Sequence, residues 1–264
     1  FISRLFPILL LCILFSIEKA SSKNYLLYYF IFISPIIVYI SGERTAIFNI
    51  VLSYLIIFIL IKDLRKYLLR SIFFIIICIF LITLFNKEVY QRNIQNTFNQ
   101  LVSGDGGEFS IQPFSQMHKF HYQTSVLMFK DNIIFGQGPK MFRVLCKNDK
   151  YNPITADKIN RKVTGDVQNA CTTHTHHTYI QLLSETGIIG AVFFVFIFIY
   201  ACYFLLKKFY ILNLMNINKH LHDEEKYMIL IFICVLINLW PLLPSGNFFG
   251  SYLNIIYYIP LALY

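Results

Sequence analysis

The stretch that decides the fold is residues 68–86, LLRSIFFIIICIFLITLFN, which carries a single charged residue, Arg70. A helix needs roughly 17–25 predominantly apolar residues to cross the hydrocarbon core of a bilayer. Residues 68–86 meet this length, and so do two further apolar runs at 25–41 and 188–206. The three runs therefore predict transmembrane α-helices.

The rest of the chain has the same apolar character. Hydrophobic residues make up 56% of the 264 residues and charged residues only 14%, against roughly 25% charged residues in soluble domains. Further apolar runs occur at 5–17, 46–61, 228–243 and 248–264. We therefore expect an all-α fold, a polytopic transmembrane helix bundle with about seven spans. Between the last two runs, Pro244-Ser-Gly-Asn247 predicts a tight hairpin.

Basic loops indicate which side of the membrane each segment faces. The loops 62–70 and 207–227 are rich in Lys or Arg, which predicts that both are cytoplasmic. Alternation of the spans then places the long segment 87–187 outside. We expect three parts: N-terminal transmembrane helices in 1–86, an external and mostly helical loop in 87–187, and C-terminal transmembrane helices in 188–264.

The net charge of +9 fits this picture. In a soluble protein it would suggest nucleic acid, but basic loops and an anionic lipid or substrate account for it here. We therefore expect membrane lipid as a partner and no nucleic acid. The chain begins at Phe1 without an initiator Met, so we expect a fragment with upstream spans missing.

The external segment has features of its own. Residues 114–134 have apolar positions near helical spacing, and SGDGGE at 103–108 predicts a flexible tip. Two of the six cysteines, Cys146 and Cys171, lie in this segment, where an oxidising compartment would favour a disulfide between them. Two free thiols are the alternative.

The stretch CTTHTHHTYIQLLSETGIIG at 171–190 has three histidines in four residues, followed by a Glu. A neutral imidazole suits general base catalysis, since its ordinary pKa lies near 6.5. A metal site is a second interpretation, and a solvated histidine cluster is a third. The metal site would use His174 and His176 with the His-x-x-His pair His118 and His121.

Helical phase separates the histidines. A helix beginning near Thr175 would place His176 on an apolar, inward face with Ile180, while His177 would face outward. Glu185 lies nine residues after His176, about half a turn out of phase. We therefore expect Glu185 to orient a neighbouring loop rather than to pair directly with His176.

Two further stretches carry positive charge beside glycines. In SGERTA at 41–46, Arg44 lies between two spans, as an interface anchor or as a bidentate phosphate ligand. In FGQGPKMFR at 135–143, the Gly-x-Gly sequence permits a tight turn. Lys140 and Arg143 add positive charge beside that turn.

Taken in order, three motifs resemble the O-antigen ligase and polymerase superfamily. They are Ser-Gly-x-Arg at 41–44, MFKDNIIFGQGPKMF at 128–142, and HTHHTYIQLLSETGIIG at 174–190. Members of this superfamily carry a Gly-x-Gly-x-x-x-Phe element and a His-Asn/Ser-x-Tyr-Leu-Gln-x-x-x-Glu-x-Gly element. The resemblance covers about residues 25–250. Members usually have more than seven spans.

The resemblance implies roles for individual residues. His176 takes the place of the catalytic histidine, and Arg44 that of the arginine that holds the lipid pyrophosphate. Many members have a second arginine where this chain has His118, so Lys119 or Arg143 would serve instead. The substrate-binding residues implied in this way are Arg143, Lys119, Lys140, Gly136, Gly138, His118, Gln181 and Glu185.

The function implied is metal-independent glycosyl transfer without a cofactor. An undecaprenyl-pyrophosphate-linked glycan would be the donor, and lipid A-core the acceptor, at the periplasmic face of the bacterial inner membrane. A polymerase or a protein O-oligosaccharyltransferase would use the same scaffold with a different acceptor. A polytopic transporter or metal-binding membrane protein is the alternative of another class.

Overall fold

A computed structural model describes residues 2–16, 20–102, 116–151, 153, 171–214 and 221–263. In these ranges every regular element is helical, so the all-α prediction is confirmed for this part of the chain. The predicted tip at 103–108 lies outside it. The helices are α1 Ile2–Ser16, α2 Ala20–Ser41, α3 Arg44–Leu60, α4 Arg65–Phe85, α5 Lys87–Tyr90, α6 Asn96–Val102, α7 Gln116–Asp131, α8 Phe142–Leu145, α9 Thr178–Phe209, α10 Asp223–Asn238 and α11 Ser251–Ala262.

Three of the described helical segments are long and apolar enough to cross a membrane: Ser22–Ser41, Lys62–Phe85 and Thr178–Leu212. Each of the seven predicted apolar runs overlaps a helix in the described residues. Apolar runs become helices because a helix satisfies its backbone hydrogen bonds internally, as the hydrocarbon core of a membrane requires. The count of about seven spans and the external position of 87–187 stay predictions.

The chain forms two compact units. The first consists of Phe1–Asn99, Phe198–Asn238 and Ile256–Tyr264, and the second of Gln100–Ile197 and Leu239–Ile255. In the first unit, α1 packs against α2, α3 and α10. The ring of Phe6 is fully buried there and stacks on Phe30 at 5.2 Å between ring centroids.

The junction between α2 and α3 is a single sharp turn in the first unit. Gly42 has φ +69°, a left-handed conformation that glycine adopts without strain, and its N–H donates to Tyr39 O at 3.2 Å. Glu43 follows with extended backbone, and α3 begins at Arg44. The turn therefore places Arg44, whose side chain is exposed, at the first helical position of α3.

The second unit contains α7, α8, the first part of α9 and the connection 239–250. A small core of Met128, Phe142, Cys146 and Tyr151 holds α7 and α8 together. Cys146 forms a disulfide with Cys171, with 5.1 Å between the two Cα atoms. The predicted tight hairpin is wrong: α10 ends at Asn238 and α11 begins at Ser251, because prolines and glycines recur throughout 241–250.

Candidate active site

Helix α9 is broken at Gly187, which has φ 66° and ψ −166°. A break of this kind leaves helical N–H and C=O groups without their usual partners. The segment 133–138 supplies those partners through backbone hydrogen bonds. They run from Gln137 N to Ser184 O at 2.9 Å, from Gly138 N to Glu185 O at 2.9 Å, from Ile188 N to Ile133 O at 2.9 Å and from Ile189 N to Ile134 O at 3.4 Å.

Glycine is required on both sides of this contact. A Cβ atom on Gly136 would lie 2.5 Å from the backbone N of Gly187, and one on Gly187 would lie 2.1 Å from Ile134 O. The amides of Gly136 and Gly138 both donate to backbone carbonyls of the protein. Because those amides are already engaged, the geometry favours a packing role for the two glycines over direct contact with substrate.

Glu185 holds the turn that follows. Its side chain is buried, and its carboxylate accepts hydrogen bonds from Lys140 N at 3.0 Å and Phe142 N at 2.9 Å. Lys140 is in a left-handed conformation with φ 63°, and its side chain is exposed. Arg143, one residue into α8, is exposed as well. Glu185 therefore orients a neighbouring loop, as its position in the sequence suggested.

Gln181 connects Glu185 to the connection 239–250. Its Nε2 donates to Glu185 Oε2 at 3.1 Å and to Asn247 Oδ1 at 2.8 Å, and its Oε1 accepts from Phe248 N at 2.9 Å. The side chain is fully buried. The sequence pattern predicted a turn at Asn247 but did not indicate its hydrogen bond with Gln181. The sequence feature that could have indicated Asn247 is a carboxamide among the prolines and glycines of 241–250.

His176 precedes helix α9 instead of lying in it. The helix begins at Thr178, and His176 has φ 62°, a left-handed conformation that is uncommon for a residue with a side chain. Its carbonyl accepts from Ser245 N at 3.0 Å. The predicted helix start at Thr175 is wrong, because this backbone conformation cannot continue into an α-helix. Helical phase therefore does not determine where the His176 side chain faces.

His177 faces inward, which corrects the prediction that it faces outward. Its side chain is buried, and Nε2 donates to Pro241 O at 2.9 Å. Its Nδ1 accepts from Ile180 N at 3.4 Å, the position of a helix N-cap. Burial lowers the pKa of His177, so the neutral form that makes both bonds is favoured. With both nitrogens engaged, His177 positions the motif.

The ring of His176 lies among three other imidazoles. Its centroid is 4.0 Å from that of His174, 5.3 Å from His118 and 5.6 Å from His121. Burial, followed by the neighbouring imidazoles, lowers the pKa of His176 from 6.5 to about 4. At neutral pH the ring is therefore uncharged. None of the described residues hydrogen-bonds to it.

Helix α7 supplies the other side of this cluster. The ring of His121 meets that of Phe142 edge to face at 6.5 Å, which connects the histidines to the glycine element. His118 is half buried beside His176, whereas the neighbouring Lys119 is exposed. In the described ranges, no group of three or more His, Cys, Asp or Glu side chains is placed to hold a metal ion.

Arg44 lies in the first unit and His176 in the second. Close to Arg44 the structure shows a residue that the sequence analysis missed. The guanidinium of Arg92 covers Gly42, where a Cβ atom would lie 2.9 Å from Arg92 Nε. The only signal in the sequence is a basic residue shortly after the end of the span 68–86.

A comparison with protein families finds a match to the model described as O-antigen ligase, over residues 29–195. This range covers well over half of the 264 residues and includes Arg44, the glycine element and the motif from His176 to Gly187. No curated protein and no solved structure matches the chain. The chain belongs to the O-antigen ligase family.

Proposed function

We propose that this chain transfers a glycan from undecaprenyl pyrophosphate to an acceptor hydroxyl, with His176 as the general base and Arg44 as the ligand of the leaving pyrophosphate. Family membership supports an O-antigen ligase or polymerase type of function, and the apolar helices support a membrane protein. The observation that carries the proposal is the half-buried ring of His176, which lies against the rings of His174, His118 and His121. The backbone of His176 has φ 62°, and burial lowers the pKa of the ring, which favours its neutral form.

The base step follows from that geometry. The neutral imidazole takes the proton of the acceptor hydroxyl while the hydroxyl oxygen attacks the anomeric carbon of the glycan. The bond from that carbon to the pyrophosphate oxygen breaks, and the pyrophosphate leaves with the bonding electrons. Attack opposite the leaving group inverts the anomeric configuration. The imidazolium then returns its proton to solvent.

The leaving group needs positive charge, and Arg44 supplies it. A guanidinium stays charged at any physiological pH and offers planar, bidentate hydrogen bonds that match phosphate oxygens. Arg44 is exposed at the first position of α3, where the helix dipole also favours an anion. Stabilising charge that develops on the leaving oxygen is commonly the largest contribution to such catalysis.

The histidine scaffold consists of His118, His121, His174 and His176. Burial, followed by the three neighbouring imidazoles, lowers the pKa of His176, so its base form is populated at neutral pH. We assign Glu185, Gln181 and the two glycines to positioning this scaffold. Lys119, Lys140 and Arg143 are exposed cations of the second unit that can attract an anionic donor.

The test is reconstitution with purified full-length protein. The protein is incubated with undecaprenyl-pyrophosphate-linked glycan and, in turn, lipid A-core, a second lipid-linked glycan or a pilin-type protein. We expect transfer to lipid A-core at the periplasmic face of the inner membrane, unchanged by a chelator. Transfer only to the second glycan would make the protein a polymerase. No transfer, together with zinc bound stoichiometrically through His174 and His176, would contradict the proposal.

A further inference from the structure

A polar cavity lies on the segment that follows α4, in the same unit as Arg44. Its volume is about 470 Å³, and because all its described lining side chains are exposed, the cavity is open to solvent. Spacings of three and four residues place the lining side chains on one helical face. Among the described residues, those that line the cavity are Glu88, Gln91, Arg92, Gln95, Asn96 and Asn99.

Two contacts join this cavity to the turn before Arg44. The guanidinium of Arg92, which lines the cavity, covers Gly42 and approaches the Cβ position there to 2.9 Å. Asn93 Nδ2, one residue further along the chain, donates to Tyr39 O at 2.8 Å. The helical segment that lines the cavity is therefore held against the α2–α3 junction. Any ligand in the cavity would lie beside the turn that carries Arg44.

The chemistry of the lining favours a carbohydrate. Four of the six side chains are carboxamides, and each offers both hydrogen-bond donors and an acceptor. Sugar hydroxyls also donate and accept, so carboxamides match them in both directions. Glu88 can accept from a hydroxyl but would repel a bare phosphate, whereas Arg92 can donate to a sugar oxygen or to a neighbouring phosphate.

We propose that this cavity binds the glycan part of the lipid-linked donor, with Arg92 at the end nearest the pyrophosphate. The inference rests on the proposed function, because that function defines a donor with a glycan and a pyrophosphate in one molecule. It assigns the carboxamides of Gln95 and Asn96 to glycan binding, separately from the pyrophosphate site at Arg44.

Binding to two separate probes tests this assignment on the full chain in detergent. The first probe is the free glycan released by mild acid from the lipid-linked fraction of the source cells. The second is undecaprenyl pyrophosphate without a glycan. We expect Gln95→Ala/Asn96→Ala to weaken glycan binding about tenfold or more and to leave binding of undecaprenyl pyrophosphate within about twofold.

Two further variants guard against a loss of folding. Gln95→Glu/Asn96→Asp keeps side-chain size and replaces each amide donor by an acceptor, so it should weaken glycan binding as well. Lys87→Ala, an exposed residue outside the cavity, should change neither affinity. Equal glycan affinity in wild type and the double alanine variant would overturn the assignment, as would equal losses for both probes or no glycan binding by the wild type.

The outcome is separable from that of the transfer assay. Wild-type protein that binds the free glycan through Gln95 and Asn96 but transfers nothing would contradict the proposed function and support the cavity. Wild-type protein that transfers glycan at a rate and with a KM unaffected by the double variant would support the proposed function and contradict the cavity.

Discussion

Gly136 and Gly187 meet backbone to backbone, so that a Cβ atom on Gly136 would lie 2.5 Å from the N of Gly187. This contact joins the Gly-x-Gly sequence at 136–138 to the Glu-x-Gly sequence at 185–187. The broken helix and the glycine loop complete each other's backbone hydrogen bonds. The two stretches therefore form one structural unit.

The Gly136 contact predicts a graded response to alanine. Gly136→Ala should destabilise the protein by about 3 kcal/mol, because it combines left-handed backbone strain with a clash against backbone atoms. Gly138→Ala carries similar strain at φ +102° but meets only the flexible side chain of Met141 at 3.2 Å. It should cost about 1–2 kcal/mol. Thermal unfolding of both purified variants measures the difference, and equal losses would contradict the contact.

Replacing Glu185 should reduce stability because two backbone N–H groups lose a hydrogen-bond acceptor, in addition to the loss of charge. Glu185→Gln keeps the shape but replaces one acceptor oxygen by an NH₂ group, which would face the N–H of Lys140 or Phe142. We expect a loss of stability of about 2 kcal/mol and a lower kcat. Glu224→Gln, at an exposed acid in the first turn of α10, is the matched control. Unchanged stability in Glu185→Gln would show that this carboxylate does not hold the loop.

Arg44→Lys tests whether the guanidinium fork matters. Lysine keeps the positive charge but loses the bidentate geometry, so kcat should fall at least about tenfold. Arg70→Lys, an arginine on α4 that bonds to Tyr28 Oη at 2.8 Å, serves as the control. Steady-state transfer rates distinguish a phosphate ligand from an interface anchor. Full activity with lysine at position 44 would make Arg44 an interface anchor.

The histidine cluster sets the acid limit of activity. Because the pKa of His176 is lowered to about 4, the base stays neutral as the pH falls, and transfer should decline only as the pH approaches 4. His118→Ala removes a neighbouring imidazole and opens the site to water, and both effects raise the pKa of His176. The acid limb should therefore move to higher pH.

A pH profile of kcat/KM for wild type, His118→Ala and His222→Ala measures this shift. His222 is exposed and lies outside the second unit, so its variant should follow the wild-type profile. An acid limb that stays in place in His118→Ala would contradict the coupling between the two rings.

The helices were predictable because apolar runs of membrane length have few alternatives. His176 shows where local periodicity stops being informative. Its conformation depends on Ser245 N, 69 positions further along the chain, and on His177 as the helix cap. No pattern within 171–190 reports a contact of that range. The family resemblance selected His176 as a motif position, whereas helical phase gave a wrong geometric reason for that choice.

The position of Arg92 could not be predicted from the sequence either. The guanidinium of Arg92 lies over Gly42, fifty residues earlier in the chain. Neither stretch of sequence indicates that the two segments pack together. For Glu185, the expected bonding to a neighbouring loop agrees with the structure, although the helix assumed to join Glu185 to His176 begins only at Thr178. The role of Glu185 in bonding the glycine loop could be predicted in kind, but its partners at Lys140 and Phe142 could not.

Single-turnover transfer from undecaprenyl-pyrophosphate-linked glycan to lipid A-core by His176→Ala tests the central claim most directly. We expect the rate at pH 7 to fall at least about a hundredfold, with donor binding and thermal stability unchanged and His222→Ala at the wild-type rate. A His176→Ala protein that transfers glycan at the rate of His222→Ala would contradict the assignment of His176 as the base.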